Sequence, residues 1–184
     1  MSNLKKSYSY RYTFTFVIIL CLCSATILSL VATALQGPQE EAKAIDKIKQ
    51  LLIAAKILSY EDSFTLYEGK HFYPATFDQE SGSLVKSNHP VKVANKAVLA
   101  LYDERVSARL VTEDGSLYTF EEAGLNYETY MQENQEAGFA ALKYKLIYII
   151  SANDPDKKVP YGYVIPVSGY GLWGPIYGYL ALAS

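Results

Sequence analysis

From Thr13 to Leu35 the chain runs without a charged residue, and most positions are apolar (TFTFVIILCLCSATILSLVATAL). About 23 helical residues at 1.5 Å each reach roughly 34 Å, enough for a hydrocarbon core of about 30 Å. One transmembrane helix over 13–35 is expected. Beyond Gly37 the pattern turns amphipathic. In PQEEAKAIDKIKQLLIAAKIL, Ile45, Ile48, Leu51, Leu52 and Ala55 recur at spacings of three and four. Pro38 suits a first helical turn, and Glu40 and Glu41 complement the positive end of a helix dipole. The spacing predicts a stalk helix over 38–58, set off from the first helix by a short break at Gly37.

From Tyr60 the period shortens to that of strands divided by turn chemistry. Asp78 to Ser83 (DQESGS) is a turn cluster, and Pro90 to Tyr102 is ambiguous between helix and strand, with Val93, Ala97, Val98 and Leu101 favouring a helix. Glu113-Asp114-Gly115 separates the apolar runs 108–111 and 117–120 and signals a hairpin. Thr119 with Glu122 offers a capping box for a helix reaching about Glu133, weakened by Gly124. Leu142 to Ile150 (LKYKLIYII) reads as a strand closed by the turn Asn153-Asp154-Pro155-Asp156. Tyr161 to Val167 and Ile176 to Ala183 read as two more strands joined by a glycine-rich loop. The fold class is therefore α+β: one N-terminal transmembrane helix, a stalk, and a mixed domain over 60–184. The last apolar strand would leave an unprotected edge, so a partial domain is expected.

Charge sharpens this picture. The 184 residues hold 17 Lys and Arg against 19 Asp and Glu, a net charge of −2. Lys5, Lys6 and Arg11 are the only charges in the first eleven residues, which leaves 14 positive against 19 negative in the rest. Phosphate binding needs a basic surface, so no nucleic-acid partner is expected. The basic segment 1–12 before the apolar run places the N-terminus in the cytoplasm by the positive-inside rule. A cleaved signal peptide is the rival reading, since Ala32-Thr33-Ala34 has small-residue spacing, but the apolar run exceeds the usual 7 to 15 residues of such a signal. Cys21 and Cys23 each follow a leucine, which disfavours lipidation, and two residues apart on one helix they diverge, so they read as small apolar filler rather than a disulfide.

Little in the chain supports acid–base, nucleophilic or metal chemistry. His71 and His89 are far apart in sequence, and both cysteines lie in the apolar run, so no zinc or iron site is expected. Asp154 and Asp156 lack the glycine and distal glutamate of a calcium loop. Neither a phosphate-binding loop nor a Gly-x-Ser-x-Gly elbow occurs. The stretch that stands out is Ile165 to Leu182, IPVSGYGLWGPIYGYLAL. Gly169, Gly171 and Gly174 permit close backbone approach, and Leu172 with Trp173, the only tryptophan, offers a wall for a planar ring. On composition alone, the simpler reading is a hairpin whose Tyr, Leu and Trp fill a core.

The run Pro166-Val167-Ser168-Gly169-Tyr170-Gly171-Leu172-Trp173, followed by Tyr177 to Ala181, resembles the signature of the C-subunit of the sodium-translocating NADH:quinone oxidoreductase. The wider layout of basic start, single apolar helix and polar stalk is similar too. The resemblance implies a flavin-binding type of domain on the periplasmic side of a bacterial inner membrane, passing electrons through FMN toward quinone alongside the other membrane subunits of a respiratory complex. The G-subunit of the related ferredoxin/NAD complex, or an anchored scaffold without redox function, are the alternatives. The family carries FMN covalently on a threonine in a Ser-Gly-Ala-Thr type motif, which is expected beyond residue 184. Ser24-Ala25-Thr26 is a superficial echo inside the apolar helix, where a charged phosphodiester would be very costly. What the resemblance implies for this chain is a flavin wall made by Gly171, Leu172 and Trp173 and shaped by Gly169 and Tyr170, with no catalytic acid or base and no metal.

Overall fold

The computed structural model describes residues 10–68, 71–134, 138–139, 141–153 and 160–183. They divide into two compact units, one ending at Ala44 and one spanning Ile45–Ser184. In the first, every described residue belongs to helix α1, Tyr10–Ala54, which continues into the second unit. It is long and apolar enough to cross a membrane, and its side chains up to Ala44 are exposed, as lipid-facing ones would be. The expected break at Gly37 is absent. Pro38 lies inside the helix, where its ring costs one backbone hydrogen bond. Gln36 Nε2 donates to Glu40 Oε1 at 3.1 Å and straddles the Gly-Pro pair.

The helix also stops earlier than residue 58. Lys56 adopts φ +59°, its N–H donates to Ile53 O at 2.9 Å, and the Ile57 N–H donates to Leu52 O at 2.9 Å. These two bonds form a Schellman motif, and the buried Ile57 and Leu52 supply its usual apolar contact.

The second unit is α+β, as expected. Strands β1 (Phe64–Glu68), β2 (His71–Asp78) and β3 (Ser83–Lys86) form an antiparallel meander. Helix α2 (Asn95–Arg105) resolves the ambiguous stretch in favour of a helix and buries Val98 and Leu101. A second antiparallel sheet follows, with β4 (Val106–Val111), β5 (Leu117–Tyr118), β6 (Lys145–Ile150), β7 (Gly162–Gly171) and β8 (Gly174–Ala183) in the order β5-β4-β6-β7-β8. The Asp-Gly hairpin forms where predicted, with Leu110 opposite Tyr118. In β6, Leu146, Tyr148 and Ile150 are buried, while their neighbours are partly so. That is the period of two expected of a strand with one face on the core.

The capping box forms, but it does not start a long helix. The Thr119 N–H donates to Glu122 Oε2 at 2.7 Å and the Glu122 N–H to Thr119 Oγ1 at 3.1 Å. Gly124, at φ +67°, ends the turn, and α3 (Tyr127–Asn134) starts afresh with Asn126 Oδ1 accepting from the Thr129 N–H. The predicted turn at 153–156 lies outside the described residues beyond Asn153.

One side chain ties the two sheets together. Asn153 Nδ2 donates to Leu84 O at 2.9 Å and its Oδ1 accepts from the Leu84 N–H at 2.6 Å. The same Oδ1 lies 3.3 Å from Arg105 Nη1, while Nη2 donates to Ser151 O at 2.7 Å. Asn153 thus mimics a ladder rung for β3, and Arg105, buried at the end of α2, holds it in place.

Candidate functional site

Strand β7 is twice used at its start and half free beyond it. It pairs with β6 only from Gly162 to Val164, but with β8 along its whole length, from Gly162 opposite Ala183 to Gly171 opposite Gly174. Pro166, without an N–H to donate, stands two residues past the last rung to β6. From there the hairpin continues as a two-stranded blade, closed by the two-residue turn Leu172-Trp173. Gly174 takes φ +142°, a backbone that residues with a Cβ rarely adopt.

The five residues expected to form a flavin wall all lie in this last stretch. Gly169, Tyr170 and Gly171 end β7, and Leu172 and Trp173 make the turn. They do not fill a core: Trp173 is 97% exposed, Leu172 91% and Tyr170 86%. Val167, Ile176 and Tyr177 on the same blade are also exposed. A Cβ on Gly171 would meet the end of the Ile176 side chain, a flexible neighbour that could give way. No charged residue occurs between Tyr161 and Leu182. The blade therefore presents flat apolar surface and backbone polar groups, and it has no cation of its own to hold a phosphate.

At the base of the blade lies an aromatic cluster that the motifs in the sequence do not mark. Tyr148 of β6 and Tyr179 of β8 meet edge to face at 6.3 Å between centroids. Phe120 packs against Tyr127 at 5.2 Å and Tyr130 at 5.5 Å, and Tyr130 stacks on Phe139 at 5.7 Å. Burial pushes Tyr148, Tyr102 and Tyr179 above the ordinary phenol range, with neighbouring tyrosines adding to the effect. Burial also raises Tyr130 to about 12, and its hydroxyl donates to Tyr144 O at 2.6 Å. Those four phenols stay neutral through the physiological range, so they offer rings rather than proton transfer. Gly138, at φ +82°, comes so close that a Cβ there would run into Ser168 Oγ. The count of 17 tyrosines was the available signal, but composition does not say which of them meet. Among the described residues, no three His, Cys, Asp or Glu side chains gather as a metal site.

The class these features define is a helix able to cross a membrane joined to an α+β domain that carries an exposed Gly-x-Gly-Leu-Trp blade. No family model matches the chain. It is, however, homologous to the C-subunit of the Na(+)-translocating NADH-quinone reductase. The chain is 32% identical to that protein from Chlamydia caviae over 174 residues, 88% of this chain and 54% of the relative. The Chlamydia pneumoniae counterpart is likewise 32% identical over 174 residues. The Pseudomonas aeruginosa counterpart is 28% identical over 103 residues, 49% of this chain and 38% of the relative. The similarity first drawn from the glycine-tryptophan block thus extends over most of the sequence, and the chain spans about half the length of the Chlamydia relatives.

Proposed function

We propose that this chain acts as a membrane-anchored component of the C-subunit type in a sodium-translocating NADH:quinone reductase, passing electrons through FMN toward quinone. The observation that carries the proposal is the homology over 88% of the chain to proteins named as that component. The apolar helix supports anchoring. Its basic N-terminal flank favours a cytoplasmic N-terminus and a periplasmic domain in a bacterial inner membrane. The partners on this reading are the lipid bilayer and the other membrane subunits of the complex.

The blade fits a flavin on one side only. Trp173 and Leu172 can pack against a planar ring system, and the backbone groups of Gly169 to Gly171 can reach its polar edge without a side chain in the way. The blade has no group to neutralise the phosphate. No residue of this chain is assigned as an attachment point for the flavin. When bound, the flavin supplies the redox chemistry; the residues of this chain contribute packing, orientation and exclusion of water.

Covalent flavin fluorescence on a denaturing gel of the natural protein, expressed with its partner subunits, tests the reading. A fluorescent band that is lost when Trp173→Ser is combined with Leu172→Ser, or that survives with a shifted flavin potential, supports it. A well-expressed protein without flavin overturns it in favour of a non-redox scaffold. Membranes showing ferredoxin-dependent rather than sodium-stimulated NADH:quinone activity would instead assign the chain to the related ferredoxin/NAD complex.

A further inference from the structure

We propose that the cleft between the end of α1, the β1–β2 hairpin and the start of β7 is a second binding site, which takes a planar aromatic anion. The cavity measures about 420 Å³, within the usual range for small-molecule sites. Lys56, Tyr67, Phe72, Tyr161 and Tyr163 give it its character, over a floor that includes the buried Ile150 and Val164. It does not depend on the flavin reading. Along β7 the cleft lies about eight residues, or roughly 25 Å, from the Leu172-Trp173 turn.

Shape and charge both point to the ligand class. Tyr67 and Phe72 stand 4.8 Å apart and tilted, offering one aromatic wall, and Tyr161 and Tyr163 contribute further rings. Lys56 Nζ lies 5.4 Å from the centre of the Phe72 ring. Among the described residues this ammonium makes no ion pair. Burial raises the Tyr161 phenol, and the charge of Arg105 opposes that rise. Arg105 is 3% exposed and bonded to the neutral oxygens of Ser151 and Asn153, and its Nε has no partner among the described residues. In a domain with an excess of acidic residues, this aromatic cleft is thus lined by one ammonium that pairs with no carboxylate among the described residues.

The position of Lys56 is an independent observation. It occupies the left-handed C′ place of the Schellman motif, where glycine is strongly favoured. A lysine there carries backbone strain that glycine would avoid, so its side chain has a use beyond ending the helix.

Ligand-observed NMR and calorimetry on the full chain in nanodiscs, with empty nanodiscs as reference, test the proposal using 2-naphthoate and its neutral counterpart 2-naphthol. Naphthoate is expected to bind more tightly than naphthol. Lys56→Gln should weaken naphthoate roughly three- to tenfold and leave naphthol unchanged, the scale of one partly exposed charge contact. Lys56→Arg should restore binding. Lys56→Gly should raise the melting temperature while still losing the preference for the anion, which separates binding from folding. Leu172→Ser with Trp173→Ser should leave binding intact. Equal affinity for the two probes, no binding of either, or binding that disappears with the blade variant and survives Lys56→Gln would overturn the proposal.

Discussion

Strands β6 and β8 belong to one sheet and are similarly apolar, yet they live in different surroundings. β6 is flanked by β4 and β7 and buries Leu146, Tyr148 and Ile150. β8 is the last strand of the sheet as described, and Ile176, Tyr177, Leu180 and Leu182 are exposed along it. Hydrophobic content is therefore a poor guide to which strand stabilises the domain. Position in the sheet decides how much of each side chain leaves water, and a long apolar edge without charges invites a covering partner.

The largest test of that contrast is a pair of truncations. Leu146→Ala empties a site 1% exposed and should cost about 2–5 kcal/mol in denaturant unfolding. Leu180→Ala, at 52% exposed, should cost well under about 1 kcal/mol. Equal losses would mean that β8 is buried in the protein as it exists, by a partner or by further chain.

Asn153→Ala should follow, with a loss of about 1–3 kcal/mol. It strands the buried N–H and C=O of Leu84 together with one nitrogen of Arg105. Asn153→Asp is a sharper probe, because it keeps the shape and the acceptor for Arg105 but removes the donor to Leu84 O. A result near wild type for Asn153→Ala would show that water replaces the rung.

Gly138→Ala should cost about 1–2 kcal/mol through its positive φ and its approach to Ser168. Ser168→Gly in the same chain should recover the part due to crowding and leave the part due to backbone strain. Thermal melts of the single and double variants separate the two.

The smallest effect is in pH. The hydrogen bond from Lys49 at 2.8 Å, more than any other cause, holds the Asp62 carboxyl below the ordinary carboxylate range. A carboxyl whose pKa is lower folded than unfolded stabilises the fold above its unfolded value, and that stability is lost as pH falls through the folded value. Lys49→Met should therefore lower stability slightly near neutrality, where the contribution is fully present, and flatten its decline below about pH 4, so that the two proteins converge in acid. An unchanged decline would show that the pair is screened by solvent.

Much of the architecture was legible because it rests on local rules. The long apolar run is a helix, the Asp114-Gly115 hairpin forms with its predicted neighbours, and LKYKLIYII contains the central strand. The misjudged places are those where a local signal was outvoted. Pro38 reads as a helix start, but α1 continues through it, since one missing bond is a small loss in a 45-residue helix. Thr119 and Glu122 form their box, yet Gly124 ends the turn before a helix can propagate. Lys56 ends α1 in a conformation that normally announces itself as glycine, so no sequence signal marked it.

The candidate site divides in the same way. Gly169 to Trp173 could be picked out as a block because glycine spacing and a single tryptophan are visible in the letters. The exposure of the block could not, because it depends on β6 pairing with β7 for three residues rather than ten. The tyrosines at its base and the cleft around Lys56 are assembled from residues up to about a hundred positions apart, and only the tertiary structure brings them together. By itself the sequence determined the class of each segment, its kinship with the C-subunit of the reductase and the absence of charge in the blade, because periodicity and composition are properties of neighbours along the chain. Which apolar surfaces are buried, and which stand exposed, was decided by strand order, because burial depends on neighbours in space.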